Sequence, residues 1–385
     1  MKPQFELADI IRRFKSDFIS TNFPNDYHKG VLEQILYCRT SVLGGHRERC
    51  LDCGHERISY NSCRNRHCPK CQNTNREMWI QQTVDLLPSG NYFHVVFTLP
   101  DTLNPLFLST YKDRMQNILF RTAWETVQLF AANPKYLGAQ TGMIAILHTW
   151  GQTLTLHPHI HCIIPDSGLN YCSEWIKGKW VDKASAFLFP VLQMSRVFKG
   201  KFMSATSAML KAQHQKAPTI KGTAFNVYAK KPFNGLEGVI EYLGRYTHKI
   251  AISNHRIEKV DEDGVTFRYK DYRQAGKQKT MCLSGTEFLR RFCLHIQNKG
   301  FRRIRYYGIL ATSNRVLLNE IRTSSGEKPV SKRDKKEIKK IVLEKVEYNP
   351  ECCPVCKIGK MKMIAIIEAR PPPNRRTIKT KTKTN

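Results

Sequence analysis

Residues 154–164 read Leu154-Thr155-Leu156-His157-Pro158-His159-Ile160-His161-Cys162-Ile163-Ile164 and alternate with a period of two. An extended strand sends the two residue sets of such a run to opposite faces. Leu154, Leu156, Ile160, Cys162 and Ile164 make one face, suited to a buried core, while Thr155, His157, His159 and His161 make the other. Packing alone does not explain three imidazoles at alternating positions. Neutral imidazole is the commonest side-chain metal ligand, so this strand is expected to hold an ion. His159 and His161 are the first expected ligands, with His157 on the same strand or His148 on the preceding one as the third. A tight turn at Gly151-Gln152 would set His148 opposite Thr155; a loop centred near residues 153–154 would set it opposite His159. An ion held by two or three imidazoles keeps positions open for a phosphate oxygen. A donor set without thiolate suits Mg²⁺ or Mn²⁺.

Charge names the class of partner. Lys and Arg total 62 against 32 Asp and Glu, a net +30 on a 385-residue chain that is 41% hydrophobic. That is the composition of a folded protein that meets a polyanion, most simply DNA. No stretch reaches the ~18 uninterrupted apolar residues of a membrane span, so no membrane partner is expected. Met1 to Glu6 lack the apolar core of a signal peptide. Thirteen cysteines without an export signal point to metal binding and free thiols in a reducing cytoplasm, with nucleoid association following from the charge.

Two Cys-x-x-Cys pairs, Cys50/Cys53 and Cys68/Cys71, are separated by fourteen residues. Each makes a tight knuckle, and the two together are expected to complete one tetrahedral, structural Zn²⁺ site. Cys63, His67, His55 and His46 are spare ligands, and Cys63 is the one that can replace a cysteine or support a second ion. Cys353/Cys356 is a lone pair, read equally as half of a zinc ribbon completed elsewhere or as a chance spacing. Arg47, Arg49, Arg57, Arg64, Arg66 and Lys70 surround the first cysteines and favour DNA contact.

Asn234-Gly235-Leu236-Glu237 resembles a helix start, with Asn as N-cap. On a helix over about 235–247, Leu236, Val239, Ile240 and Leu243 form an apolar stripe. Tyr242 and Tyr246, four apart, project together beside that stripe, near Arg245, His248 and Lys249. Such a pair is ordinarily amphipathic packing. Next to a metal-holding strand, it suits attack on a phosphodiester, since tyrosine serves as a covalent nucleophile and cations offset the developing charge. The chain divides into a zinc-binding, DNA-contacting unit (1–88), a nuclease unit (89–325) and a basic C-terminal region (326–385) ending in a disordered tail. Strands and helices mix without strict βαβ alternation, which favours an α+β fold.

At this point the chain resembles the HUH single-strand endonucleases, named for two histidines flanking a hydrophobic residue. More narrowly, it is similar to the IS91 family of two-tyrosine rolling-circle transposases. The resemblance rests on Ser62 to Gln72, Phe93 to Pro100, His157-Pro158-His159-Ile160-His161, Tyr242 to Ser253, and Gly300 to Gly308. It implies an antiparallel sheet with the histidine strand central and flanking helices. It also implies His159 and His161 as metal ligands and Tyr242 and Tyr246 as paired nucleophiles. Relaxases, which share that core, space three histidines as His148, His159 and His161 are spaced here, which favours His148 over His157. Arg64, Arg66, Arg245, Lys249, Arg302, Arg303 and Arg305 are the expected DNA-binding cations within the resembling blocks. The implied substrate is single-stranded or hairpin-forming DNA at element ends, together with target DNA. Its bases would stack on aromatics such as Trp175 or Trp180. A rolling-circle replication initiator or mobilisation relaxase would share the cleavage step. A non-catalytic zinc-ribbon DNA-binding regulator would share only the affinity.

Overall fold

The structure, a computed structural model, describes residues 3–179, 187–216, 225–230, 238–239, 244, 250–329, 337–338, 340–342, 349 and 351–370. Trp180 and the basic tail beyond residue 370 lie outside the described residues.

Helices α1 (Leu7–Asn22) and α2 (Asp26–Leu36) open the chain. Asp9 Oδ2 accepts the Glu6 N–H at 2.9 Å, and Asn25 Oδ1 accepts the His28 N–H at 2.8 Å, so amides that a helix start leaves unpaired find partners. Strands β1 (Gly45–Cys50) and β2 (Glu56–Tyr60) form an antiparallel hairpin, and α3 (Gln72–Leu86) leads to β3 (Tyr92–Thr98). Residues 104–132 form two helices, α4 (Asn104–Leu108) and α5 (Lys112–Ala132), because Ser109 between them is extended. Then come β4 (Gly142–Trp150), β5 (Leu156–Pro165), the short pair β6 (Ser167–Leu169) and β7 (Trp175–Lys177), α6 (Val191–Lys211) and β8 (Asn226–Ala229). A meander of β9 (Ile257–Val260), β10 (Val265–Asp271) and β11 (Lys277–Leu283) runs into α7 (Gly285–Leu294). The chain closes with β12 (Ile304–Gly308), α8 (Arg315–Ser324) and β13 (Met361–Ile367).

Among the described residues the principal sheet is five-stranded and antiparallel, in the order β12-β4-β5-β3-β8, with the histidine strand at its centre. Its two faces differ as the alternation requires. Val95, Phe97, Leu147, Ile160, Cys162 and Ile164 pack against Leu119, Phe120 and Val127 of α5 and Phe198 and Phe202 of α6. On the opposite face, Tyr92, Ile144, Ile146 and Ile163 pack under Leu318 of α8 at one end. The histidines occupy the remainder of that face. Trp175, expected to offer a stacking surface, is partly buried against the same apolar end.

The boundaries expected at 88 and 325 do not follow the packing. Leu7, Ile10, Phe18, Leu32 and Ile35 of the first two helices share one core with Phe267, Phe288, Phe292, Ile296 and Trp150. A segment of the C-terminal region also returns to the start of the chain: β13 pairs antiparallel with β1, Gly45 opposite Ile367 and Cys50 opposite Met361. Among the described residues, no helix is long and apolar enough to cross a membrane.

Candidate metal centre

The turn between β4 and β5 decides which histidines meet. Gly151 N–H donates to Thr155 O at 2.9 Å and Leu154 N–H to Gly151 O at 3.2 Å. Leu154 adopts φ +60°, so it belongs to the turn and packs with the N-terminal helices rather than on the apolar face of the strand. Arg291 Nη1 donates to Thr153 O at 3.1 Å, and His295 Nε2 to Leu154 O at 3.0 Å, holding the loop from α7 and the residue after it. The loop is thus centred near residues 153–154, and His148 lies opposite His159. A bulge between His148 and Trp150 then shifts the register, so Trp150 faces Leu156.

His148, His159 and His161 each offer one ligand nitrogen, and these atoms all lie within 4.8 Å of one another. His148 and His161 are buried and His159 is half-buried. The second ring nitrogens are spoken for on β5. His159 Nδ1 lies 2.6 Å from the His157 carbonyl, which can only accept, so this nitrogen carries the proton and Nε2 keeps its lone pair. His161 Nδ1 lies 2.8 Å from Nε2 of His94 on β3, the two rings stacked with centroids 5.1 Å apart. Burial pushes His94 down to about 3, which keeps that imidazole neutral. In the tautomer where His161 Nδ1–H donates to His94, the Nε2 of His161 is left for an ion. Trp150 stacks on His148 with centroids 4.7 Å apart. Three converging imidazoles, with neither thiolate nor carboxylate in the group, fit an ion that retains open positions. His157 stands outside the trio: its Nδ1 lies 3.6 Å from Asp101 Oδ1 at the more open end of the strand. Sequence reasoning missed His94, whose signal was one histidine within the apolar run Phe93-His94-Val95-Val96-Phe97.

The thiols correct the expected single four-cysteine site. Cys50/Cys53 and Cys68/Cys71 do not meet. Cys50 ends β1 and Cys53 sits in the following turn, so their knuckle is at the hairpin tip. Five residues of β2, about 17 Å at ~3.4 Å each, then run back before Cys63 is reached. Cys68 and Cys71 instead join Cys63 and Cys38, the latter just past α2. Cys38 and Cys71 Sγ are 3.5 Å apart and Cys63 and Cys71 Sγ 3.6 Å. A tetrahedron of Zn–S bonds of ~2.3 Å has edges of about 3.8 Å, so this cluster fits a closed zinc site. Cys38 has no partner at knuckle spacing, and no motif marks it. Cys50 and Cys53 face Cys353 and Cys356 across the β1–β13 pair. Backbone N–H groups of Ile358 and Gly359 bring the Cys356 thiol down to about 6.

The expected DNA-binding cations separate into two groups. Arg64 and Arg302 are exposed. Arg66 instead donates to the carbonyls of Phe301, Gln297 and Asn298 at 2.6, 3.0 and 2.7 Å, pinning the knuckle to the loop before β12. Arg305 stacks over Phe120 at 4.1 Å and bonds Asn117, and Arg303 lies 5.9 Å from the Trp150 ring with its pKa lowered by burial to about 10. These three brace the site from within. Tyr242, Tyr246, Arg245 and Lys249 lie outside the described residues.

Known proteins similar to this chain are transposases. Residues 142–316 match a family model described as "Putative transposase", and residues 10–99 match one described as "Transposase zinc-binding domain". The chain is 37% identical over 386 residues to "Putative transposase y4qJ" of Sinorhizobium fredii, covering 94% of this chain and 96% of that protein. It is 32% identical over 310 residues to "Transposase for insertion sequence element IS801" of Pseudomonas savastanoi pv. phaseolicola, covering 76% of this chain and 72% of that protein. No solved structure matches it.

Proposed function

The chain belongs to the IS91 family of transposases, and from that premise we propose that it cuts and rejoins single-stranded DNA at element ends through a tyrosine-linked intermediate. DNA is the partner that transposition requires, and the +30 net charge supplies the long-range attraction.

The observation that carries the reading is the convergence of His148, His159 and His161 on two adjacent strands, with His159 fixed in tautomer by the His157 carbonyl and His161 hydrogen-bonded to His94. A divalent cation held by these residues, Mg²⁺ or Mn²⁺ on this reading, supplies positive charge at a scissile phosphate. His94 and the His157 carbonyl would keep the His161 and His159 nitrogens aimed at that ion. The phenolic oxygen of Tyr242 or Tyr246 attacks phosphorus and gives up its proton, forming an O–P bond as the bond to the 3′ oxygen breaks. The leaving 3′ oxygen gains a proton and becomes a free hydroxyl, while the 5′ phosphate stays on the tyrosine. The bond energy is retained in the linkage, so rejoining runs by the reverse displacement without a nucleotide cofactor. A second tyrosine permits a second cleavage before the first link is released.

Incubating the purified protein with labelled single-stranded element ends and Mn²⁺ should give a covalent adduct on a denaturing gel. The double variant Tyr242→Phe/Tyr246→Phe should lose the adduct and keep its DNA affinity; His159→Ala/His161→Ala should lose it likewise. An adduct that persists in the double tyrosine variant would refute the proposal. A protein that binds DNA and never forms an adduct is a regulator.

A further inference from the structure

Residues 10–99 carry the family's zinc-binding segment, yet one thiol group of this structure draws half its ligands from far beyond it. Cys50 and Cys356 Sγ are 3.7 Å apart, and Cys53 and Cys353 Sγ are 3.6 Å apart, across about 300 residues of chain. Both spacings match the edge of a ZnS₄ tetrahedron, about 3.8 Å for Zn–S bonds of ~2.3 Å. They are far longer than the ~2.05 Å of a disulfide, and all thirteen cysteines are free.

The local backbone is shaped for metal thiolates. Cys53 N–H points at Cys50 Sγ (3.5 Å), Val355 N–H at Cys353 Sγ (3.4 Å) and Gly359 N–H at Cys356 Sγ (3.3 Å). The two knuckles are therefore built alike. Gly359 has to be glycine for this: a Cβ there would stand 2.4 Å from Cys50 Sγ.

Burial does not account for the assembly. Among the described residues, the three-stranded sheet β13-β1-β2 has a local core of only Cys50, Cys353 and Met361, with Cys356 against it. Ile366 is 75% exposed and Ile358 86%. Three strands need an apolar face to stand in water, and here that face is little more than the thiols themselves. Small units of this kind are held by metal, whose binding energy is their folding energy.

We propose that Cys50, Cys53, Cys353 and Cys356 bind a second zinc ion, distinct from the one in the Cys38/Cys63/Cys68/Cys71 group, and that this ion clasps residues 351–370 onto the N-terminal hairpin. The four thiols release their protons as the ion binds, and no oxidant is involved. Each group has two buried thiols, but Cys53 of the clasp is exposed where Cys63 and Cys71 of the first group are half-buried, so a chelator reaches the clasp first.

The test is metal content and backbone protection of the full-length protein. Two cysteine groups predict two zinc ions per chain by mass spectrometry. Cys353→Ser/Cys356→Ser should hold one, lose half of the thiolate-to-Co²⁺ absorption after cobalt substitution, and become open to protease within 351–370. Its near-ultraviolet circular dichroism should otherwise stay that of the parent, because the first group and the histidine sheet are untouched. Stepwise chelation of the parent should release one equivalent before the other. A parent chain with one zinc, or a double serine variant that still holds two, overturns the proposal. Should the serine variant not fold, stepwise release from the parent decides: a single phase of one equivalent is the refuting result.

Discussion

His94 should govern how tightly the histidine trio holds its ion, although it is not a ligand. In His94→Leu the acceptor facing His161 Nδ1 is gone, and the leucine fills a similar volume without offering a polar atom. Partners of this kind are worth about 10–100-fold in metal affinity, or about 1.4–2.8 kcal/mol at ~1.4 kcal/mol per tenfold. The effect should fall toward the upper end. His94 and His161 are 2% and 8% exposed, so water cannot take the place of the lost acceptor. An unpaired buried N–H carries its own desolvation cost of about 1–3 kcal/mol, which drives His161 to the other tautomer and withdraws its Nε2 lone pair. His159 keeps the His157 carbonyl in the variant, so the loss is confined to one ligand. The assay is calorimetric titration with Mn²⁺ on protein whose circular dichroism matches the parent. Kd should rise close to 100-fold in His94→Leu, and His94→Gln, which returns a carbonyl acceptor, should recover most of it. A folded leucine variant with the parent Kd would show that His161 is oriented by something else.

Two further substitutions probe the frame around the site. Arg66→Ala removes three charge-assisted bonds to the 297–301 loop and should cost about 2–3 kcal/mol, seen as a lower Tm. The salt dependence of DNA binding should not change, and a slope reduced by about one would place Arg66 on a phosphate instead. Gly285→Ala sets a Cβ 2.0 Å from Phe14 Cγ, where α1 meets α7; overpacking of about 1–3 kcal/mol should lower Tm, and adding Phe14→Ala should restore part of it. An unchanged Tm in Gly285→Ala would refute that close approach.

The histidine site was largely legible because it is local. Alternation assigns His159 and His161 to one face from the sequence, and a hairpin brings His148 within reach once the loop is centred near residues 153–154. His94 was hidden because it reaches the site from a strand 67 residues away in sequence, through a register that no spacing encodes. The cysteines failed for a related reason. A Cys-x-x-Cys pair specifies its knuckle and not the knuckle's partner, so the two nearest pairs were joined when each closes with others. Arg66, Arg303 and Arg305 read as ligands for DNA because charge is visible in sequence, whereas the carbonyls and rings that engage them are not. Packing between the expected units was hidden in the same way: α1 and α2 share an apolar core with α7, about 250 residues further along the chain.

Trp150 belongs to that contact and also lies flat against His148. Through this indole the helices that open the chain reach a histidine of the sheet. Cutting the chain after residue 88 would strip the covering from Phe267, Phe288 and Ile296 and unseat the ring behind His148. Exchange of parts among related elements must then carry the helical entry along with the histidine sheet.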